Sequence, residues 1–478
     1  MERIRSEIIR QKLTTPEAAA SFIKNGMTVG MSGFTGIGYP KVIPGELAKR
    51  KEAGEDLKIT VICGASMGDQ SDGVMARAGI VSRRYGFQSN KDMRAAINRG
   101  EIQFVDMHLS QIAYWMKAGY FGKVDVAVIE VAGVTEDGSL ICPCAVGIIP
   151  TLVKCADKII LEVNDMVPEA VEGLHDIIDL DLAPNTQPIM ITSPGQRVGT
   201  PYVKCDPDKI IAVIRTADEN MNAELKAPDD DMIAIAEHIV NFFHQEIAAG
   251  RLPNPLPPLQ SGVGGVANAV LSQLAKSDLE NLTVYTEVAQ DAVFDLMDAG
   301  KVLSASATSM TLSPSIRAGI YARLADYKGR LVLRPQEISN APEVIKRLGV
   351  IAMNTAIEFD LEGNVNSTHV GGTSLMNGLG GSGDFARGSG LSIFTTASTA
   401  KAGTLSCLVP HVSHVDHTEH DTQIIVTEQG LADLRGLTAY ERADLLIERC
   451  AHPKFKAELR EFVAESRAKA KAFHALAR

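Results

Sequence analysis

A pair of similar open α/β domains, with the active site in the cleft between them, is predicted by three features of this 478-residue chain. Apolar strand-like runs alternate with helical patterns along the whole length, the signature of α/β layers around a largely parallel sheet. A polar break divides the chain near residue 228. The parts on either side of the break echo one another.

In the first part the strand-like runs are Ile59 to Cys63, Val124 to Val131, Lys158 to Val163, Ile189 to Thr192 and Ile210 to Ile214. The segment Asn220 to Asp231 is polar and ends in Pro228-Asp229-Asp230-Asp231, whose aspartates suit an N-cap. Behind them Ile235, Ile239, Val240, Phe243 and Ile247 share one face of a helix. The boundary therefore falls between an N-terminal domain, 1–228, and a C-terminal domain, 229–478. Leu252-Pro253-Asn254-Pro255-Leu256-Pro257-Pro258 forces an extended connector just before Gly262. The second part carries the runs Thr283 to Glu287, Arg330 to Leu333, Val350 to Asn354 and Gln423 to Thr427. Each part opens with a Gly-X-Gly turn, Gly36-Ile37-Gly38 and Gly262-Val263-Gly264, followed by a strand whose polar loop carries Ser66 or Glu287. Val126 to Glu130 then matches Ile351 to Asn354, and Asp157 to Ile160 matches Thr422 to Ile425.

Apolar residues at 45% and charged residues at 22% exclude wholesale disorder. With a net charge of −11 and no basic run, nucleic acid is not an expected partner. No apolar stretch reaches the roughly 20 residues of a membrane span, and the start, MERIRSEIIRQKL, reads as a charged amphipathic helix without a signal-peptide core. A cytoplasmic protein is expected. Seven sparse cysteines fit reduced, buried thiols, the pair Cys142-Pro-Cys144 included.

Four segments invite chemistry. Ser261 to Asn268 places glycines at a helix start, where backbone N–H groups can face an anion or an acyl chain. Val284-Tyr285-Thr286-Glu287-Val288 delivers Glu287 to the end of a strand, where open α/β sheets place reactive groups. Asn377 to Phe385 is too glycine-dense for a helix interior and exposes N–H groups suited to an oxyanion. His411-Val412-Ser413-His414-Val415-Asp416-His417-Thr418-Glu419-His420 looks like a metal site, but a spacing of three spreads the rings around a helix or across both faces of a strand. A hydrogen-bonded structural network is expected there, with a metal-dependent hydrolase as the alternative.

Taken in order, these segments resemble the acetyl-CoA hydrolase/transferase family of class I CoA-transferases. The resemblance runs through Gly33-Phe34-Thr35, Gly64-Ala65-Ser66 and Asp106-Met107-His108-Leu109-Ser110 in the first half. In the second half it runs through Tyr285-Thr286-Glu287-Val288, Arg334 to Asn340, Asn366 to Val370, Gly380 to Phe385, Ser413 to His417 and Thr427-Glu428-Gln429-Gly430. The resemblance implies that Glu287 attacks an acyl-CoA thioester and becomes a glutamyl-CoA thioester, with the Asn340 amide and the Gly381 N–H as oxyanion donors. It implies CoA contacts at Gly262, Val263, Gly264, Gly265, Val266, Asn377, Gly381 and Lys401, a carboxylate beside the nucleophile at Glu428, and no metal. Coenzyme A thioester is then a substrate, a short-chain carboxylate its partner, no cofactor is permanently bound, and a homodimer is expected. Succinyl-CoA with acetate is the first pairing implied, propionyl-CoA or butyryl-CoA the next, and simple thioester hydrolysis the alternative activity. One departure is Ala341-Pro342, where relatives commonly carry a polar residue before the proline.

Overall fold

Short aliphatic runs buried on both faces pair into two parallel sheets in the computed structural model, which describes residues 2–225, 227–262 and 264–476. In chain order the strands of the first sheet are Thr28–Met31, Ile59–Ile62, Val81–Tyr85, Gln103–Val105, Val124–Val131, Ala156–Asn164 and Ile210–Thr216. In space the order is fourth, third, second, first, fifth, sixth, seventh, and every pair is parallel. The second sheet uses Leu259–Ser261, Leu282–Tyr285, Val302–Ala307, Leu331–Leu333, Ile351–Thr355, Leu391–Thr395 and Ile424–Thr427 in the same spatial order. It adds Gly430–Asp433 as an antiparallel edge strand. The internal echo is thus a shared topology, and the α/β expectation holds.

Two details of the echo change. Ile189 to Thr192 is no strand; it runs outside both sheets, with Ile189 and Ile191 buried beside Tyr285, Ile338 and Val344. Its carbonyls are taken by Arg347, which donates to Ile189 and Ile191, so side-chain packing on the other half replaced strand pairing. The counterpart of Ala156–Asn164 is Leu391–Thr395, whereas Ile424–Thr427 corresponds to Ile210–Thr216. Small hairpins inserted between these strands in the second half hid that register.

The register also locates the counterpart of Glu287. Val29 pairs with Val61 and Val126, and Leu259 pairs with Val284 and Ile351, so the position three residues beyond the paired valine is Gly64 in one sheet and Glu287 in the other. A Cβ on Gly64 would lie 2.1 Å from Gln336 Oε1. The first copy keeps glycine there so that the other half can dock.

Asp229 caps helix Asp230–Ala248 by accepting from the Met232 N–H at 2.9 Å, and the buried face holds Ile235, Ile239 and Phe243 against helix Gly265–Lys276. The halves are tied by a buried ion pair between Arg334 and Asp176. Arg334 Nε also donates to Ser306 Oγ at 2.9 Å. Among the described residues no helix is long and apolar enough to cross a membrane.

Candidate active site

The loops that follow the first strands of each sheet face one another across a cleft of about 790 Å3. From the first half come Phe34 to Gly36, Ala65 to Asp69 and Phe87; from the second come Gly262, Glu287, Val288, Gln290, Thr311 to Ser313 and Asn354 to Ile357. This is the carboxyl-end crevice where α/β sheets bind ligands, here built twice and shared.

Glu287 sits at the cleft wall with 8% of its surface exposed. Two amides hold its carboxylate: Gln260 Nε2 donates to Oε2 at 3.3 Å and Asn340 Nδ2 to Oε1 at 3.4 Å. The Gln260 orientation is set from behind, because its Oε1 accepts from the Met353 N–H at 2.9 Å and its Nε2 also donates to Asn354 Oδ1 at 3.1 Å. No cation donates to the carboxylate among the described residues, and both side-chain bonds are long. Burial therefore dominates and raises Glu287 to about 7, the amides offsetting it only in part and nearby Asp384 adding repulsion. A carboxylate in this setting ionises near neutrality without a general base, and weak solvation favours its reaction with an electrophile. The acid limb of any activity that needs the Glu287 carboxylate charged should accordingly bend near pH 7 and fall tenfold per unit below it. A limb at the ordinary carboxyl value near 4.3 would mean that Glu287 is not the titrating group.

The third wall is the glycine loop. Gly381 precedes helix Ser382–Gly388 and lies so close that a Cβ on it would stand 1.9 Å from Glu287 Oε1 and 2.4 Å from Asn340 Nδ2. Asn340 ends the short helix Gln336–Ser339 and is fully buried. The first half clamps both elements: Asp106 Oδ2 accepts from the Leu379 N–H of the loop at 2.8 Å, and Leu109 O accepts from Nε2 of Gln336, at the start of the helix before Asn340, at 2.8 Å. A carboxylate, a side-chain amide and a glycine backbone thus converge on one point of the cleft.

The description "acetyl-CoA hydrolase/transferase N-terminal domain" matches residues 2–215, and "acetyl-CoA hydrolase/transferase C-terminal domain" matches residues 318–463. The chain belongs to the acetyl-CoA hydrolase/transferase family. A succinyl-CoA:acetate CoA-transferase of Clostridium kluyveri is 47% identical over 97% of this chain and 87% of its own. An acetyl-CoA hydrolase of Schizosaccharomyces pombe is 43% identical over 96% of this chain and 91% of its own. RipA from Yersinia pestis shares the fold, with a TM-score of 0.76 over 96% of this chain and 98% of that one at 23% identity. This member of the acetyl-CoA hydrolase/transferase family is therefore an enzyme of the CoA-transferase and hydrolase class.

The remaining residues singled out in the sequence fall in different places in this acetyl-CoA hydrolase/transferase family fold. Gly262, Asn377 and Gly381 line the cleft, whereas Gly264, Gly265, Val266 and Lys401 are not among its lining residues. Val263 lies outside the described residues. Gly264 makes the turn into helix Gly265–Lys276 at φ 136°, where a side chain would be strained. Its N–H donates to Gln290 Oε1 at 3.3 Å, and Gln290 Nε2 donates to Gly262 O at 3.0 Å. Lys401 is exposed at the tip of the hairpin formed by Thr399–Ala400 and Leu405–Ser406. Glu428 is outside the lining set as well: it accepts from the Ser398 hydroxyl, from the Ser398 N–H at 2.7 Å and from Gln429 Nε2 at 3.0 Å. Burial raises its pKa, but these donors outweigh burial and hold it below the usual carboxyl value.

Ser66 lines the cleft but is engaged by Ser89, whose N–H and hydroxyl approach its Oγ at 2.6 and 3.1 Å. The four histidines diverge. His411 meets the Phe462 ring edge-on, His414 stacks on His369, His417 reaches Ser367 Oγ and Ser382 Oγ at 3.3 and 3.2 Å, and His420 is 81% exposed. Among the described residues no group of three or more His, Cys, Asp or Glu is arranged to hold a metal ion. Cys142 and Cys144 are both buried, which pushes Cys144 up to about 12 and Cys142 higher still.

Sequence reasoning missed Gln260 and the clamp on Asn340. A signal for Gln260 was present, since an amide inside the apolar Leu256 to Ser261 stretch must find a buried partner.

Proposed function

We propose that the protein transfers CoA reversibly between short-chain acids through a covalent thioester on Glu287. The single observation that carries this reading is the buried Glu287 carboxylate, held by two amides and pressed against the Gly381 backbone. Glu287 attacks the thioester carbonyl and forms an acyl-glutamyl anhydride as the CoA thiolate leaves. The thiolate then attacks the glutamyl carbonyl, releasing the first carboxylate and leaving glutamyl-CoA; a second carboxylate reverses the steps. The Asn340 amide and the Gly381 N–H are the donors for the tetrahedral oxyanions, the kind of contact that elsewhere is worth about 2.7–4 kcal/mol per donor. Gly262 to Val266, Asn377, Gly381 and Lys401 are assigned to CoA, and Glu428 is assigned as the carboxylate beside the nucleophile.

The same reading sets the domain division at 228/229, where Asp229 caps the first helix of the second half. It describes a cytoplasmic homodimer with no resident cofactor. Succinyl-CoA and acetate are the favoured pair, in line with the printed name of the Clostridium kluyveri relative. A second reading, hydrolysis with water as acceptor, is favoured by the name of the Schizosaccharomyces pombe relative.

One incubation separates them. With succinyl-CoA and acetate, transfer yields acetyl-CoA one for one with succinate, while hydrolysis yields free CoA whether or not acetate is present. Acyl-CoA alone should also leave a borohydride-sensitive adduct on the peptide carrying Tyr285 to Glu287, and initial rates should give parallel reciprocal plots. Free CoA as the sole product, with no adduct, would overturn the transferase reading.

A further inference from the structure

A single turn of helix, Gln336–Ser339, carries Asn340 at its C-terminal end. So short a helix does not hold itself, and the place of Asn340 depends on what the turn is tied to. The first half supplies three ties. Leu109 O accepts from Gln336 Nε2 at 2.8 Å, Gly147 O accepts from the Gln336 N–H at 2.8 Å, and Thr151 Oγ1 donates to Glu337 Oε1 at 3.1 Å. The fourth tie comes from the strand that delivers Glu287. Tyr285, fully buried, donates its hydroxyl to Ile338 O at 2.6 Å.

This short bond joins the residue two places before Glu287 to the residue two places before Asn340. The direct contact between Glu287 and Asn340 is weaker: at 3.4 Å it lies beyond the usual range of an N–H···O bond. The Asn340 N–H donates to Gln336 O at 2.9 Å, so the residue moves with the turn. Among the described residues no other hydrogen bond ties strand Leu282–Tyr285 to this helix. Tyr285 is not among the cleft-lining residues, so it reaches the site through the helix and not through the substrate.

We infer that Tyr285 is a positioning residue whose hydroxyl, acting through Ile338, sets Asn340 at its distance from Glu287. This role rests on the glutamyl mechanism proposed above. Acylation removes the charge of Glu287 and weakens a contact that is already long. The Tyr285 tie does not depend on that charge, so it keeps the oxyanion donor in place through the tetrahedral states.

Tyr285→Phe tests the tie by removing one oxygen. Ile338 O keeps the Ala341 N–H at 3.2 Å, so no buried carbonyl is orphaned and the variant should fold. Succinyl-CoA consumption in the presence of acetate gives kcat and KM for wild type, Tyr285→Phe, Asn340→Ala and the double variant, and single-turnover formation of the glutamyl adduct gives the chemical step. The expected result for Tyr285→Phe is a kcat about tenfold lower with KM for succinyl-CoA within about twofold, and adduct formation slowed by the same factor. In the Asn340→Ala background the further loss should be less than about twofold, because the donor being positioned is gone. p-Aminophenylalanine at position 285 restores an N–H donor and should bring kcat back to within about threefold of wild type. An unchanged kcat, an equal loss in both backgrounds, a loss confined to KM, or no recovery with the restored donor would overturn the positioning role while the glutamyl mechanism stands. Wild-type protein that leaves no glutamyl adduct would overturn the mechanism and the role with it.

Discussion

Glu287→Ala should lose at least about three powers of ten in turnover while the protein stays folded and still binds CoA. The expectation follows from position: the carboxylate stands at the point where Gln260, Asn340 and the Gly381 backbone meet. Removing a covalent nucleophile leaves only binding and oxyanion contacts, which support a small residue of catalysis. Turnover above about a hundredth of wild type would move the nucleophile elsewhere. Glu287→Gln carries a second readout in stability. The folded-state pKa is raised to about 7 by burial, so ionisation of Glu287 opposes folding. Its contribution is intact below the ordinary carboxyl value and is lost as pH rises through 7. The variant should therefore gain roughly 3 kcal/mol over wild type above pH 8, by conversion of the shift at 1.36 kcal/mol per unit, and nothing below pH 4. Urea unfolding at the two pH values measures the difference, and a gain that is equal at both would refute the buried-carboxylate account.

Gly381→Ala should cost about two to three powers of ten in kcat with little change in CoA affinity. The backbone at Gly381 has φ −91°, which alanine adopts freely, so strain is not the cause. Steric conflict is the cause. The new methyl would stand 1.9 Å from Glu287 Oε1 and 2.4 Å from Asn340 Nδ2, and one of the three groups must move. Displacing a nucleophile or an oxyanion donor by an ångström is enough for losses of this size. Single-turnover formation of the glutamyl adduct gives the chemical step and titration with CoA gives the binding. If the alanine variant turns over at the wild-type rate, the loop has room that the convergence of these groups denies.

Much of the architecture was legible because it depends on local patterns. Val124 to Val131 was read to the residue, and Asp229 caps its helix as its position before an amphipathic run implies. Leu391–Thr395 was passed over because a short run buried at every position, set among inserted hairpins, has no alternation to mark it. Ile189 to Thr192 has the composition of a strand but packs its side chains onto the other half while Arg347 takes its carbonyls.

The site divides in the same way. Glu287 and the glycine loop stand out in the sequence because a carboxylate at a strand end and four glycines among the six residues from Gly378 to Gly383 are chemically unusual. Of the groups around Glu287, Gln260 does not stand out, and Asn340 does so only through the family resemblance. Gln260 and Asn340 lie 27 and 53 positions away from Glu287 along the chain, and only the tertiary packing brings the three together. Elements come from short-range hydrophobic period and capping, which a sequence carries openly. The orientation of a buried amide comes from whichever long-range donors and acceptors surround it, and those are set when two domains close on one cleft.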